Sequence, residues 1–93
     1  MLGRRRDPVR LVLYTRKGCH LCDEMKSEIA RAGLGGACAL SEVDVDLDPA
    51  LVERHGRSVP VLEIDGRPAF KGRLTAADLR RNVERALAGT DTP

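Results

Sequence analysis

Residues 11–25 read LVLYTRKGCHLCDEM: a β-forming run passes through a glycine into two cysteines and then into acidic helix formers. The reading of this stretch decides the fold, because it places a strand, a turn and a helix in immediate succession. Val9 to Tyr14 are mostly apolar and dense in β-formers, the pattern of a short buried strand. Past Gly18 the period changes. From Cys19 onward, Cys22, Met25, Ile29 and Ala32 recur at helical spacing, while Asp23, Glu24, Lys26 and Arg31 fall largely elsewhere around the helix. Gly33 and the Gly35-Gly36 pair end it. The two cysteines therefore lie where the first strand hands over to the first helix.

Working outward, Leu40 to Val45 alternate well enough for a second strand. Asp48 caps a short helix with Pro49 in its first position, where no intrahelical hydrogen bond is lost. That helix runs to His55 and stops at Gly56. Val61 to Ile64 form a third strand, Asp65-Gly66 signals a hairpin turn, and Ala69 to Lys71 return as a fourth. Pro68 has no N–H for a ladder, which puts this strand at an edge. Thr75 and Asp78 form a capping box, flanked by Leu74 and Leu79 as a hydrophobic staple. The last helix carries Leu79, Val83, Ala86 and Leu87 on one stripe and ends near Gly89. The order is β-α-β-α-β-β-α, an α/β fold with strands one and two parallel through a right-handed crossover, strands three and four antiparallel, and helices on both faces.

Ninety-three residues make one compact unit, with a core expected over 9–88, a flexible basic segment at 1–8 and a frayed tail at 89–93. Sixteen Lys and Arg against fourteen Asp and Glu give a net charge of +2, and aromatics are 2% of the chain. That balance argues against nucleic acid or membrane as partner. Arg4, Arg5 and Arg6 read as a solvated basic tail. The apolar run Leu11 to Tyr14 is broken by Arg16 and Lys17, too short for an export signal, so the expected location is the cytoplasm. In a reducing compartment three cysteines do not make a disulfide framework, and a close pair points to reactivity or metal.

Cys19 at a helix N-terminus faces unpaired N–H groups and the positive end of the macrodipole, which favour a thiolate. Arg16, Lys17 and protonated His20 add to this, while Asp23 and Glu24 oppose it. Cys22 is about one turn on, within bonding reach, and begins the apolar stripe. Cys19 is thus the expected nucleophile and Cys22 the buried resolving thiol. Haem attachment needs a histidine where Asp23 stands. Zinc needs four ligands, and Cys38, His20 and His55 follow no zinc spacing, so no metal is expected. His20 either tunes the potential of the pair or faces solvent. His55 reads as a dipole partner at a helix end or a surface residue, and Cys38 as a spectator, with glutathionylation or dimer formation as its other role.

The segments LYTRKGCHLCDEM, DVDLDPALVERHG, SVPVLEIDG and LTAADLRRNV resemble the short bacterial glutaredoxin-like proteins of the thioredoxin superfamily, from Val9 to Leu87. The resemblance implies a thioredoxin-like fold, a four-stranded mixed sheet in the order 2-1-3-4 flanked by three helices. It implies Cys19 as nucleophile and Cys22 as resolving thiol, a cis Val59–Pro60 bond, and substrate held at Ser58, Val59 and Pro60, with Val59 offering its backbone. Arg16 matches the family's basic residue before the first cysteine. His20-Leu21 replaces the usual Pro-Tyr, and Phe70-Lys71-Gly72-Arg73 with Thr75 stand where glutathione's remaining contacts are made. The expected function is a monomeric thiol-disulfide oxidoreductase acting on protein or low-molecular-weight disulfides. It would hold no bound cofactor and take electrons from an external thiol, glutathione or its equivalent, or from a protein reductant. Two alternatives are a thioredoxin-fold binding module with inert or regulatory cysteines, and a metal-bound dimer using Cys19 and Cys22 of two chains.

Overall fold

The computed structural model describes residues 5–89. Its elements are β1 (Val9–Thr15), α1 (His20–Arg31), β2 (Cys38–Asp44), α2 (Pro49–His55), β3 (Val61–Ile64), β4 (Arg67–Lys71) and α3 (Ala76–Leu87). The sheet order is β2-β1-β3-β4, with β1 and β2 parallel and the β1–β3 and β3–β4 pairs antiparallel. This is the thioredoxin-like arrangement expected from the sequence.

Local chemistry sets the boundaries. β2 starts at Cys38 and stops one residue short of the expected end: the Asp44 side chain accepts the Asp46 N–H at 2.9 Å and turns the chain into a 3₁₀ segment at Val45–Leu47. Val45 nonetheless stays fully buried. The β3–β4 turn uses positive φ at both Asp65 (51°) and Gly66 (86°), the requirement of a tight primed hairpin. β4 extends back to Arg67, and Pro68 stands opposite Glu63 on the edge strand where the register shifts. Thr75 caps α3 by accepting the Asp78 N–H at 3.1 Å, and Leu74 and Leu79 are both buried.

Alternate residues of β1 point to opposite sides of the sheet. Leu11 and Leu13 meet Met25 and Ile29 of α1, Leu62 of β3 and Leu79 and Val83 of α3 in the main core. The other face is covered by α2. Residues 1–4 of the expected basic segment, and the expected fraying at 90–93, lie outside the described residues. From Arg5 the chain runs along the domain: its N–H donates to Leu87 O at 2.8 Å and its guanidinium to Asp65 Oδ1 at 2.9 Å. Among the described residues no helix is long and apolar enough to cross a membrane.

Candidate functional site

Gly18, at φ +74°, turns the chain out of β1 into a conformation that side-chain-bearing residues rarely adopt. Cys19 follows in an extended conformation as the N-cap of α1, a position that ordinarily takes Ser, Thr or Asp. Its sulfur performs the capping role: the Cys22 N–H donates to Cys19 Sγ at 3.0 Å. Cys22 turns inward and is 1% exposed, whereas Cys19 is only half-buried. Their Cα atoms are 5.2 Å apart and their sulfurs lie within bonding distance. One sulfur therefore faces solvent and the other backs onto it from the interior.

Two of the charged residues expected to acidify Cys19, Arg16 and His20, have acidic partners of their own. The Arg16 guanidinium grips Asp46 with Nε at 3.0 Å and Nη2 at 2.8 Å, and donates from Nη1 to Gly56 O at 2.8 Å. It ties the end of β1 to the turn after β2 and to the end of α2. The same contact holds the Asp46 carboxyl below the usual carboxylate range. His20 is exposed and reaches Glu24 at 3.0 Å, and Glu24 in turn meets Arg73 at 3.4 Å. Lys17 is exposed at the rim. The N-terminus of α1, where Cys19 sits, is a position that favours a thiolate.

The Ser58, Val59 and Pro60 segment lies at the same end of the sheet, because β3 begins at Val61 opposite Tyr14 in β1. The Val59–Pro60 peptide is cis. Both Ser58 N–H and Val59 N–H donate to His55 O, at 2.8 and 3.1 Å, and Pro60 O accepts from Gly72 N–H at 2.8 Å. The Val59 N–H is thus engaged within the chain, by the last residue of α2.

His55 corrects the surface placement expected of it. It is 8% exposed and stacks on Tyr14, ring centroids 4.4 Å apart. α2 lies across the face from which Tyr14 projects, and its last turn aims inward there. Tyr14 in turn donates to Glu63 Oε1 at 3.3 Å, and its hydroxyl is pushed up by burial and then by the Glu63 carboxylate. Sequence reasoning missed Tyr14 and Asp46 as supports of the site. The alternation that put Leu11 and Leu13 on one side of β1 put Tyr14 on the other, which was the available signal. Cys38 opens β2 and is half-buried; burial and then the Asp65 carboxylate push its thiol up, away from thiolate character. Among the described residues no group of three or more His, Cys, Asp or Glu could hold a metal ion.

Comparison with known proteins agrees with this geometry. The family described as Glutaredoxin-like domain (DUF836) matches residues 10–84. Among solved structures, protein XcR50 from X. campestris is 37% identical with a TM-score of 0.68, over 80% of this chain and 95% of that one. Protein Ne2328 from Nitrosomonas europaea has a TM-score of 0.70 at 24% identity, over 87% of this chain and 98% of that one, and shares the fold. A chloroplastic thioredoxin z superposes with a TM-score of 0.68 at 25% identity, over 86% of this chain and 79% of that one. No curated protein matches the chain. The family match takes in both cysteines of the pair, the Ser58-Val59-Pro60 segment and most of α3, and the chain belongs to the glutaredoxin-like domain family on a thioredoxin fold.

Proposed function

We propose that the protein is a thiol-disulfide oxidoreductase cycling between the Cys19/Cys22 dithiol and its disulfide. The observation that carries this is the asymmetry of the pair: Cys19 is half-exposed at a helix N-terminus with its sulfur accepting a backbone N–H, and Cys22 is buried within bonding distance behind it. Cys19 thiolate attacks one sulfur of a substrate disulfide, forming a mixed disulfide and releasing the first substrate thiolate. Cys22 then attacks Cys19 Sγ. The Cys19–Cys22 bond forms, the second substrate thiolate leaves, and the two electrons of the dithiol pass to the substrate.

An external thiol, glutathione or its equivalent, or a protein reductant reverses the oxidation, with no resident cofactor. Ser58, Val59 and Pro60 receive the substrate, with the Val59 backbone offered to the bound chain. The protein works as a monomer, and a dithiol cycle supplied by such donors belongs in the cytoplasm. His20 and Arg16 support the site structurally, through Glu24 and through Asp46 and Gly56.

A redox titration tests the reading. The protein is equilibrated in defined thiol-disulfide buffers, its free thiols are alkylated, and modified cysteines are counted by mass. One midpoint interconverting two thiols that map to Cys19 and Cys22 is expected. Absence of a reversible pair, or retention of exchange by Cys19→Ser, overturns it.

A further inference from the structure

Resolution of the mixed disulfide needs Cys22 to lose its proton, and a thiol that is 1% exposed does so only with an acceptor in reach. The register of β1 and β2 supplies one. Leu11, Leu13 and Thr15 point toward α1, and their parallel partners Leu40, Glu42 and Asp44 share that side of the sheet. Glu42 is thus a carboxylate on the α1 side of the edge strand, its side chain 46% exposed at the rim of the sheet.

Glu42 is held from two elements. The hydroxyl of Thr15, itself 5% exposed, donates to Glu42 Oε2 at 3.3 Å, and Lys26 Nζ meets the same oxygen at 3.0 Å. Lys26 is four residues beyond Cys22, on the same face of α1 one turn away. Thr15, Cys22, Lys26, Glu42 and Asp44 all line one solvent-open cleft of about 450 Å³. Of the other carboxylates there, Asp44 accepts the Asp46 N–H and Asp23 is 74% exposed and 3.8 Å from Lys26. Glu42 is the one held by both β1 and α1, through Thr15 and Lys26, in the cleft that Cys22 also lines.

We propose that Glu42 accepts the Cys22 proton across this cleft, directly or through one water, as Cys22 attacks the mixed disulfide on Cys19. The proposal rests on the dithiol reading above. The proton moves from Cys22 Sγ to the Glu42 carboxylate, the Cys22–Cys19 bond forms, the Cys19–substrate bond breaks, and the departing thiolate is reprotonated from Glu42 or solvent. Thr15 and Lys26 position the carboxylate; Asp23, Asp44 and the Arg16–Asp46 pair complete the charged surroundings, with Lys17 at the mouth. A competing role is purely structural, since a charged side chain and its ion pair also protect an exposed edge strand.

The test uses the reduced full chain in a Cys38→Ser background with 5,5′-dithiobis(2-nitrobenzoate). One coloured thiolate is released when Cys19 attacks and a second when Cys22 resolves. Glu42→Gln keeps the shape of the side chain but not its basicity. The expected result is an unchanged first release and a second slowed about 100-fold near neutral pH, the scale of general-base catalysis. The deficit should shrink as rising pH ionises Cys22 without help, and Glu42→Asp should recover part of the rate. A second release in Glu42→Gln with the parental rate and pH profile overturns the proposal, and so does equal slowing of both releases with a lowered melting temperature. Failure of the first release in the background chain itself instead overturns the dithiol reading and this proposal with it.

Discussion

Against one face of the sheet, α1 and α3 lay down a continuous apolar layer in which Leu11, Leu13, Met25, Leu62 and Leu79 are all at most 1% exposed. The opposite face is covered by the seven residues of α2, and polar contacts hold much of it: the Arg16 bridge to Asp46 and Gly56, the His55–Tyr14 stack, and the Asp48 cap on Ala50 N–H at 2.9 Å. The first face removes apolar area from water and so supplies most of the stability, at about 25 cal/mol per Å². The second contributes less energy, because exposed ion pairs are weak, but it fixes where the end of α2 lies. His55 O orients Ser58 and Val59 from there. The site sits where the two faces meet, with Cys22 rooted in the first and the Ser58-Val59-Pro60 segment held by the second.

The largest expected effect breaks the apolar layer. Leu79→Ala should cost about 2–5 kcal/mol in urea unfolding while leaving disulfide exchange per folded molecule unchanged. A cost under about 1 kcal/mol would mean that α3 is peripheral to the core. Next comes Gly56→Ala on the α2 face. A Cβ there would lie 2.5 Å from Val52 O, so the end of α2 must shift. About 1–3 kcal/mol is expected, together with a loss of exchange rate that persists in fully folded protein, because Gly56 O and His55 O anchor Arg16 and the Val59 turn. An alanine variant with parental melting and parental rate would refute the division of labour between the faces.

The same division explains what the sequence made legible. The apolar layer was readable because Cys22, Met25 and Ile29 repeat at helical spacing, and because a strand, a glycine and a cysteine pair in that order have few folds to belong to. The α2 face was not. His55 looks like a surface residue until the ring of Tyr14, distant in sequence, is laid beneath it. Arg16 looked like a cation for Cys19 because proximity in sequence is visible, whereas its ion pair with Asp46 depends on the parallel register that brings the ends of β1 and β2 together. Glu42 reads as the polar half of an alternating strand, yet its partners in β1 show that it faces the helix. Long-range polar pairing carries no periodicity, so pattern reading passes it by.

Arg16→Gln sharpens that lesson with a smaller effect. Since Asp46 neutralises the guanidinium, the pH midpoint for alkylation of reduced Cys19 should stay where it is in the parent, while melting temperature falls modestly from loss of the bridge. Asp46→Asn should lower melting in the same way, and the double variant should lose little more than either single one, as coupled partners do. A drop in Cys19 acidity in Arg16→Gln alone would restore Arg16 to the role its sequence position suggests.

The smallest expected effect concerns the N-terminal clamp, in which Arg5 joins the end of α3 to the β3–β4 turn, at the end of the sheet remote from the cysteines. Arg5 first, and the Arg10 N–H with it, hold the Asp65 carboxyl below the usual carboxylate range, against the opposing effect of burial. A carboxyl depressed in the folded state contributes stability that is fully present above its unfolded pKa of about 3.9 and is lost as pH falls through the lower folded value. Asp65→Asn keeps a side chain that tolerates the φ of +51° at this turn, so it removes the charge and not the hairpin. Melting curves of parent and variant should therefore differ above about pH 4 and converge below it. Because Arg5 and Asp65 are partly exposed, at 34% and 23% of their side-chain area, the gap should stay under about 1 kcal/mol and shrink in high salt. Curves that remain parallel down to low pH would show that Asp65 acts there through its turn geometry alone, and that the clamp adds no electrostatic link between the start of the chain and the hairpin.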